Sequence, residues 1–229
     1  MEFNETKASE IGLKVKERPS IPAPEENIEF ITVPGRDGSL TIRDGTVKDI
    51  VINITFTFYT KPELFAEIFR KAKKWLLGKG KKRLEFSDDT DFFYQVRNVT
   101  IGTSERTARV IGEFTAEFSC CGCQYLIDGV REHKLEEVRY NPHFIAHPIY
   151  KIKGEGKCTL NVNGNVLKAN IGQNLTVDTE LMIAYREDGT LANTEVSGDY
   201  ENLYLLEGEN KIDITDGFEL KVIPNWRCL

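Results

Sequence analysis

Residues 50–59 alternate without a break: Ile50, Ile52, Ile54, Phe56 and Phe58 interleave with Val51, Asn53, Thr55, Thr57 and Tyr59. Successive side chains of a strand point to opposite faces, so this run has one continuously apolar face and one Thr-rich face. Such a strand has to be covered on its apolar side. The segment that follows supplies a cover. Leu64, Phe65, Ile68, Phe69, Ala72, Trp75 and Leu76 fall within roughly 140° of arc when plotted at about 100° per residue, one buried face of a helix over about 61–77. Thr60 and Glu63 have capping-box spacing, Pro62 suits a first turn and Gly78 a stop. No other part of the chain has a comparable helical period.

The remainder reads as strands and turns. Residues 28–33 form a short strand. Pro34-Gly35 and Asp37-Gly38 punctuate it, and Asp44-Gly45 between Leu40–Ile42 and Val47 has the form of a two-residue hairpin turn. Residues 83–86, 92–101 and 108–119 are further strands, the last alternating Ala108, Val110, Gly112, Phe114, Ala116 and Phe118 with Arg109, Ile111, Glu113, Thr115, Glu117 and Ser119. The lead-in 1–26 holds Pro19, Pro22 and Pro24 and reads as extended chain followed by a loop. Segment 128–146 carries two of the three His residues, His133 and His143, with Pro142 and charge on both sides, and reads as a linker. Beyond it, Asn163-Gly164 marks a hairpin over 157–168, because both central positions of that turn need φ > 0. Short strands at 174–177, 180–185, 202–206, 211–215 and 219–226 follow. With 229 residues there is room for two domains, and the expected division is 1–130, β-rich with one helix, and 131–229, a β-sandwich or jelly roll.

Composition excludes several classes of function. There are 30 Lys and Arg against 36 Asp and Glu, a formal net charge of −6, which disfavours a DNA-coating or membrane-surface protein. The apolar runs are far short of the roughly 20 residues of a membrane span. The polar, acidic start lacks a secretory pattern. Five cysteines, Cys120, Cys121, Cys123, Cys158 and Cys228, are an odd number with three crowded together, which suits thiols made in a reducing cytoplasm. Cys120 and Cys123 make a C-x-x-C, but it ends a strand and has no second pair, so a packing role is expected.

No catalytic pattern stands out. His143 and His147 have an H-x3-H spacing that on a helix could bind zinc, but Pro142 and Pro148 bracket it, which reads as surface or interface histidines. Asp88, Asp89 and Asp91 lack the closing Glu of a calcium loop and read as a solvated turn. There is no G-x-S-x-G, no P-loop and no dinucleotide fingerprint. No enzyme activity, cofactor or metal is expected. Eight positive charges without an acid, Arg70, Lys71, Lys73, Lys74, Lys79, Lys81, Lys82 and Arg83, leave the rest of the chain at −14. They read as the solvated back of the helix, with contact to nucleic acid, an acidic partner or an acidic neighbouring subunit as the alternative.

The segment Asn141 to Gly164 resembles the start of the C-terminal domain of siphophage distal tail proteins. Pro148, Ile149, Ile152, Gly154, Gly156, Leu160, Val162, Asn163 and Gly164 carry the pattern: Pro, apolar-x-apolar, G-x-G, strand, Asn-Gly. Asp178 and Glu180, Gly198-Asp199-Tyr200, Leu205 to Ile212 and the final IPNWRCL are similar to later steps of that family. The N-terminal order of strand, Pro34-Gly35-x-x-Gly38 turn, hairpin, long strand and aromatic-rich helix also fits. The resemblance implies a homo-hexameric ring at a tail tip, with a β-sandwich-like ring domain and a galectin-like sandwich. It implies, as partners, the tail tube protein, the tail-associated lysin or fibre protein and a receptor-binding protein. DNA would pass through the ring without specific binding. Location would be the virion tail tip after assembly in the bacterial host cytoplasm, with no membrane contact. Thr55, Thr57, Tyr59, Lys73 and Lys74 are the candidate subunit contacts. A ring that passes DNA is expected to line its hole with acidic residues and to turn its basic stripe outward or toward a neighbour. Two other readings stay open: a carbohydrate-binding module using Tyr185, Tyr200, Tyr204 or Trp226, and a small hydrolase in a β-rich scaffold.

Overall fold

A computed structural model describes residues 1–229 apart from Asp44. The chain is mainly β and forms two compact units, Met1–Gln124 with Leu229, and Tyr125–Cys228.

The first unit is built on the strand Ile50–Tyr59. It pairs antiparallel along its whole length with Ile111–Leu126, with Phe56 opposite Phe114, Ile54 opposite Ala116 and Ile52 opposite Phe118. Equal parity puts these six side chains on one face, and all are buried. The sheet continues through Asp89–Ile101, Arg83–Phe86, Glu2–Phe3 and Thr6–Lys7 on one side and Lys14–Val15 on the other. The N-terminal lead-in is therefore woven into the sheet at three points.

The helix Phe65–Leu76 packs on this apolar face. Phe69 meets Phe114 edge-on at 5.3 Å, and Trp75 lies between Phe3 and Phe56, with its indole N–H donating to the Phe3 carbonyl at 2.9 Å. Gly112 makes the close approach possible: a Cβ there would stand 2.3 Å from the Phe58 ring. The start of the helix differs from the expected 61–77 with its Thr60/Glu63 box. Thr60 donates its N–H to Val110 O at 2.9 Å and so still belongs to the sheet, and Pro62–Leu64 forms a separate 3₁₀ turn before the helix begins. Leu64, expected on the buried face, is 45% exposed because that tighter turn rotates it away.

Glu26–Thr32 and Ser39–Val47 form a two-stranded sheet paired only with each other among the described residues. The chain reverses at 33–38, since Thr32 pairs with Ser39 and Ile31 with Leu40. The Asp44-Gly45 turn is thus replaced by the Pro34-Gly35 and Asp37-Gly38 turn; Asp44 itself lies outside the described residues.

The second unit is dominated by one long hairpin, Ile149–Val162 and Asn165–Asp178, in continuous register from Ile149↔Asp178 to Val162↔Asn165. Asn163 (φ 53°) and Gly164 (φ 88°) make the turn as their sequence requires. Tyr150, Ile152, Leu160, Leu167, Leu175 and Val177 fill its inner face. Glu219–Ile223, Ile212–Ile214, Ile183–Tyr185 and Val196–Ser197 flank it. Gly154, with φ 151°, leaves room for the Phe218 ring, which a Cβ would meet at 2.3 Å. Two expectations change here. The strand expected at 202–206 is instead entered by a 3₁₀ turn, Tyr200–Leu203, which seats Leu203 in the core. The 128–146 linker is a built part of the unit: His133–Lys134 pairs with Glu219–Ile223, Tyr140–Asn141 pairs with Gly208–Glu209, and Val138, Asn141 and Ala146 are buried. Its proline and charges concealed a segment whose polar groups are satisfied internally; Asn141 donates to the Phe144 and Leu205 carbonyls at 3.0 and 3.2 Å.

Candidate interaction surfaces

The five candidate contacts do not form one patch. Thr55, Thr57 and Tyr59 lie on the sheet face opposite the core, whereas Lys73 and Lys74 lie on the helix that covers the core. On the sheet, Thr55 and Thr115 hydroxyls meet at 3.0 Å, and Thr57 donates to Lys14 O at 3.5 Å. Lys16 reaches over from the neighbouring chain segment to Glu113 at 2.8 Å. That part of the Thr-rich face is engaged within the unit. Tyr59 stands clear of it at 66% exposure.

The basic run is less uniform in space than in sequence. Lys71 pairs with Glu67 at 2.9 Å, Lys81 with Glu5 at 2.5 Å, Lys82 donates to the Arg97 carbonyl, and Arg83 stacks over Phe93 at 4.5 Å. Both Glu5 and Glu67 are held below the usual carboxylate range by the hydrogen bond and charge of their lysines. The acid Glu5 comes from the distant N-terminal strands, so the run itself gives no sign of it. Lys73 extends over the Phe69 ring at 5.0 Å and Lys74 is exposed.

The three histidines diverge. His133 contacts Glu137 and the Asp128 carbonyl, His143 contacts Cys228 Sγ at 3.3 Å, and His147 is held between Glu180, Arg227 and a stacked Tyr204. Asp88 pairs with Arg18, and Asp89 accepts from Gln124 at 3.1 Å. Among the described residues no three His, Cys, Asp or Glu side chains converge on a point. Cys120, Cys121 and Cys123 are buried in the strand Ile111–Leu126, and burial pushes the Cys120 thiol up to about 12. Residues three apart in a strand face opposite ways, so Cys120 and Cys123 do not present a shared redox face.

Of the aromatic residues considered for sugar binding, Trp226 is in the core and Tyr204 is committed to His147. Tyr200 packs against the core and its hydroxyl lies 3.4 Å from Asn193. Tyr185 alone borders an open groove of about 230 Å³, where Glu132 bridges Lys151 and Lys221 at 2.7 and 3.2 Å and Lys153 pairs with Glu187. The two lysines hold the Glu132 carboxyl below its ordinary range.

Two surfaces of the first unit were not picked out by sequence reasoning. One is the 26–47 hairpin, on which every residue from 29 to 43 is exposed. The other is a groove of about 650 Å³ bordered by Met1, Leu13, Val15 and Phe86, with Lys7, Lys14, Glu2 and Glu85 at its rim. The hairpin could have been found from its unpaired aliphatics; the groove could not, because it joins the lead-in to a strand some 70 residues further on.

No family model matches the chain, and no curated protein matches it. A solved structure does: SPP1 Dit, described as a paradigm of the hub adsorption apparatus in phages that infect Gram-positive bacteria. The chain shares its fold. The TM-score is 0.61 at 11% identity, and the match covers 96% of this chain and 96% of SPP1 Dit. Because it runs through both units, the likeness to SPP1 Dit extends from the helix-backed sheet to the long hairpin.

Proposed function

We propose that this protein is a structural hub of a phage or prophage tail tip. Six copies form a ring that joins the tail tube to a tail-associated lysin or fibre protein and to receptor-binding proteins. One observation carries the reading: a likeness over nearly the whole chain to a hub adsorption protein. The sequence motifs of the distal tail family point the same way independently. A hub is a scaffold, and the three histidines each hold a different neighbour.

In this reading the first unit builds the ring. Tyr59, with Thr55 and Thr57 behind it, and Lys73 and Lys74 on the helix serve as contacts on two different sides, as a heterologous ring needs. Acidic residues line the hole and keep passing DNA from sticking, since a basic lining would bind phosphate in a salt-dependent way. Light scattering across concentration tests the assembly. A ring of six is expected near about 157 kDa from the 26.1 kDa chain, with a central hole in negative stain. A chain that stays monomeric at every concentration and with tail tube protein added overturns it, as does a ring with Lys73 and Lys74 facing the hole.

A further inference from the structure

Among the described residues, nothing covers residues 29–43 of the 26–47 hairpin. Cross-strand register puts Ile31 opposite Leu40 and Glu29 opposite Ile42, so Ile31, Leu40 and Ile42 share one face. They are 37%, 41% and 43% exposed. Phe30, on the other face, is 66% exposed. A two-stranded ribbon alone in water is marginal at best, and a row of exposed aliphatics on it marks a contact surface.

The ribbon is nevertheless rooted firmly. Lys48 N–H donates to Glu25 O at 2.8 Å, Asn27 donates to Thr46 at 2.6 Å, and Pro24 and Lys48 close on Gly122, where a Cβ would lie 2.4 Å from the Lys48 carbonyl oxygen. Its seven-residue strand Glu26–Thr32 extends about 23 Å at the usual rise per residue. It is a held arm, long enough to reach another chain.

The same unit carries a matching receptor. The groove is lined by Met1, Leu13, Val15 and Phe86 together with charged side chains, with Leu13 and Phe86 buried in its wall. Glu2 and Glu85 sit directly opposite each other on paired strands, where like charges repel, while Lys7 faces Glu2 from the other neighbouring strand. Burial and the neighbouring Glu2 raise the Glu85 carboxyl above its usual range. Arg36 stands exposed at the hairpin tip, while Lys7 and Lys14 on the rim face no such conflict and complement Glu29 beside the aliphatic row. An arm and a receptor at different places on one chain are what a closed head-to-tail ring requires.

We propose that the hairpin of one copy lays Ile31, Leu40 and Ile42 into the Met1–Leu13–Val15–Phe86 groove of the next copy, with Arg36 against Glu2 and Glu85. This rests on the ring reading above and adds a joint to the contacts named there.

The test uses the full chain with a photo-crosslinking residue at Leu40. In assembled protein, the crosslink is expected between two chains and to map to residues 1–15 or 83–90. A second arm uses charge. Arg36→Glu and Glu85→Arg singly are expected to raise the concentration needed for assembly about tenfold, and the double variant to restore it. Leu40→Asp with Ile42→Asp, both exposed and so neutral to folding of the single chain, is expected to raise it by about a hundredfold or more. Rings that form in the wild type but crosslink elsewhere, and that survive Leu40→Asp/Ile42→Asp, overturn this joint and leave the ring standing. A wild type that never assembles overturns both.

Discussion

The protein contains two long antiparallel hairpins with opposite fates. The 149–178 hairpin is paired on both outer edges and buries Tyr150, Ile152, Leu160, Leu167, Leu175 and Val177. The 26–47 hairpin is paired with nothing further among the described residues and leaves its aliphatics in water. Locally the two are alike: both have alternating apolar residues, β-branched side chains and glycine turns. What separates them is whether the rest of the chain provides a cover. The first is the core of a unit; the second is an unfinished sheet that another molecule completes.

The largest break in this comparison is expected from cavity mutations. Leu160→Ala should cost about 3 kcal/mol in the unfolding of the second unit, as for other buried leucines. Leu40→Ala should shift unassembled protein by less than about 0.5 kcal/mol, so urea midpoints that move equally would erase the distinction. The turns come next. Gly164 has φ 88° and Gly38 φ 79°, so alanine is strained at both. Gly164→Ala should cost about 1 kcal/mol of global stability. Gly38→Ala should leave the midpoint unchanged and only speed local opening of its ribbon.

Hydrogen exchange sharpens the same contrast. Amides of 29–42 should exchange by local opening in unassembled protein, whereas those of 150–177 should exchange near the global limit. On assembly the 29–42 amides should slow, and no change there would argue that the ribbon stays solvated. The smallest effect is in pH. Glu132 is held by Lys151 of the long hairpin and by Lys221 below its ordinary value of 4.5. The unfolded chain therefore takes up this proton first as pH falls. The stabilisation is fully present above 4.5 and is lost as pH drops through the lower folded value. Glu132→Gln should cost only a few tenths of a kcal/mol at neutral pH, because the group is exposed and screened, and nothing in strong acid. An equal cost at both pH values would show that the loss is not electrostatic.

Legibility followed the range of the interactions. The 50–59 strand and its partner were readable because alternation is local and both bury one face. Asn163-Gly164 was readable because its turn demands φ > 0. Helix 65–76 was readable in type but not at its start, since Thr60 was claimed by a backbone bond to Val110, in a turn far away in sequence. The 128–146 segment misled because proline and charge usually mark a linker, and only Leu205, Gly208–Glu209 and Glu219–Ile223 show where its polar groups go. Within the exposed basic run, the pairing of Lys81 was not readable, because its partner Glu5 lies far away in sequence.

By itself, the sequence determined a mainly β chain with one helix, its acidic balance and the turns that need glycine or asparagine. These depend on side-chain period, net charge and backbone sterics, which act within a few residues. Only the tertiary structure decided which hairpin is core and which is arm, which lysines are already paired and that the lead-in walls a groove. Those depend on what stands opposite a residue in space, and burial, unlike periodicity, is a property of the whole fold.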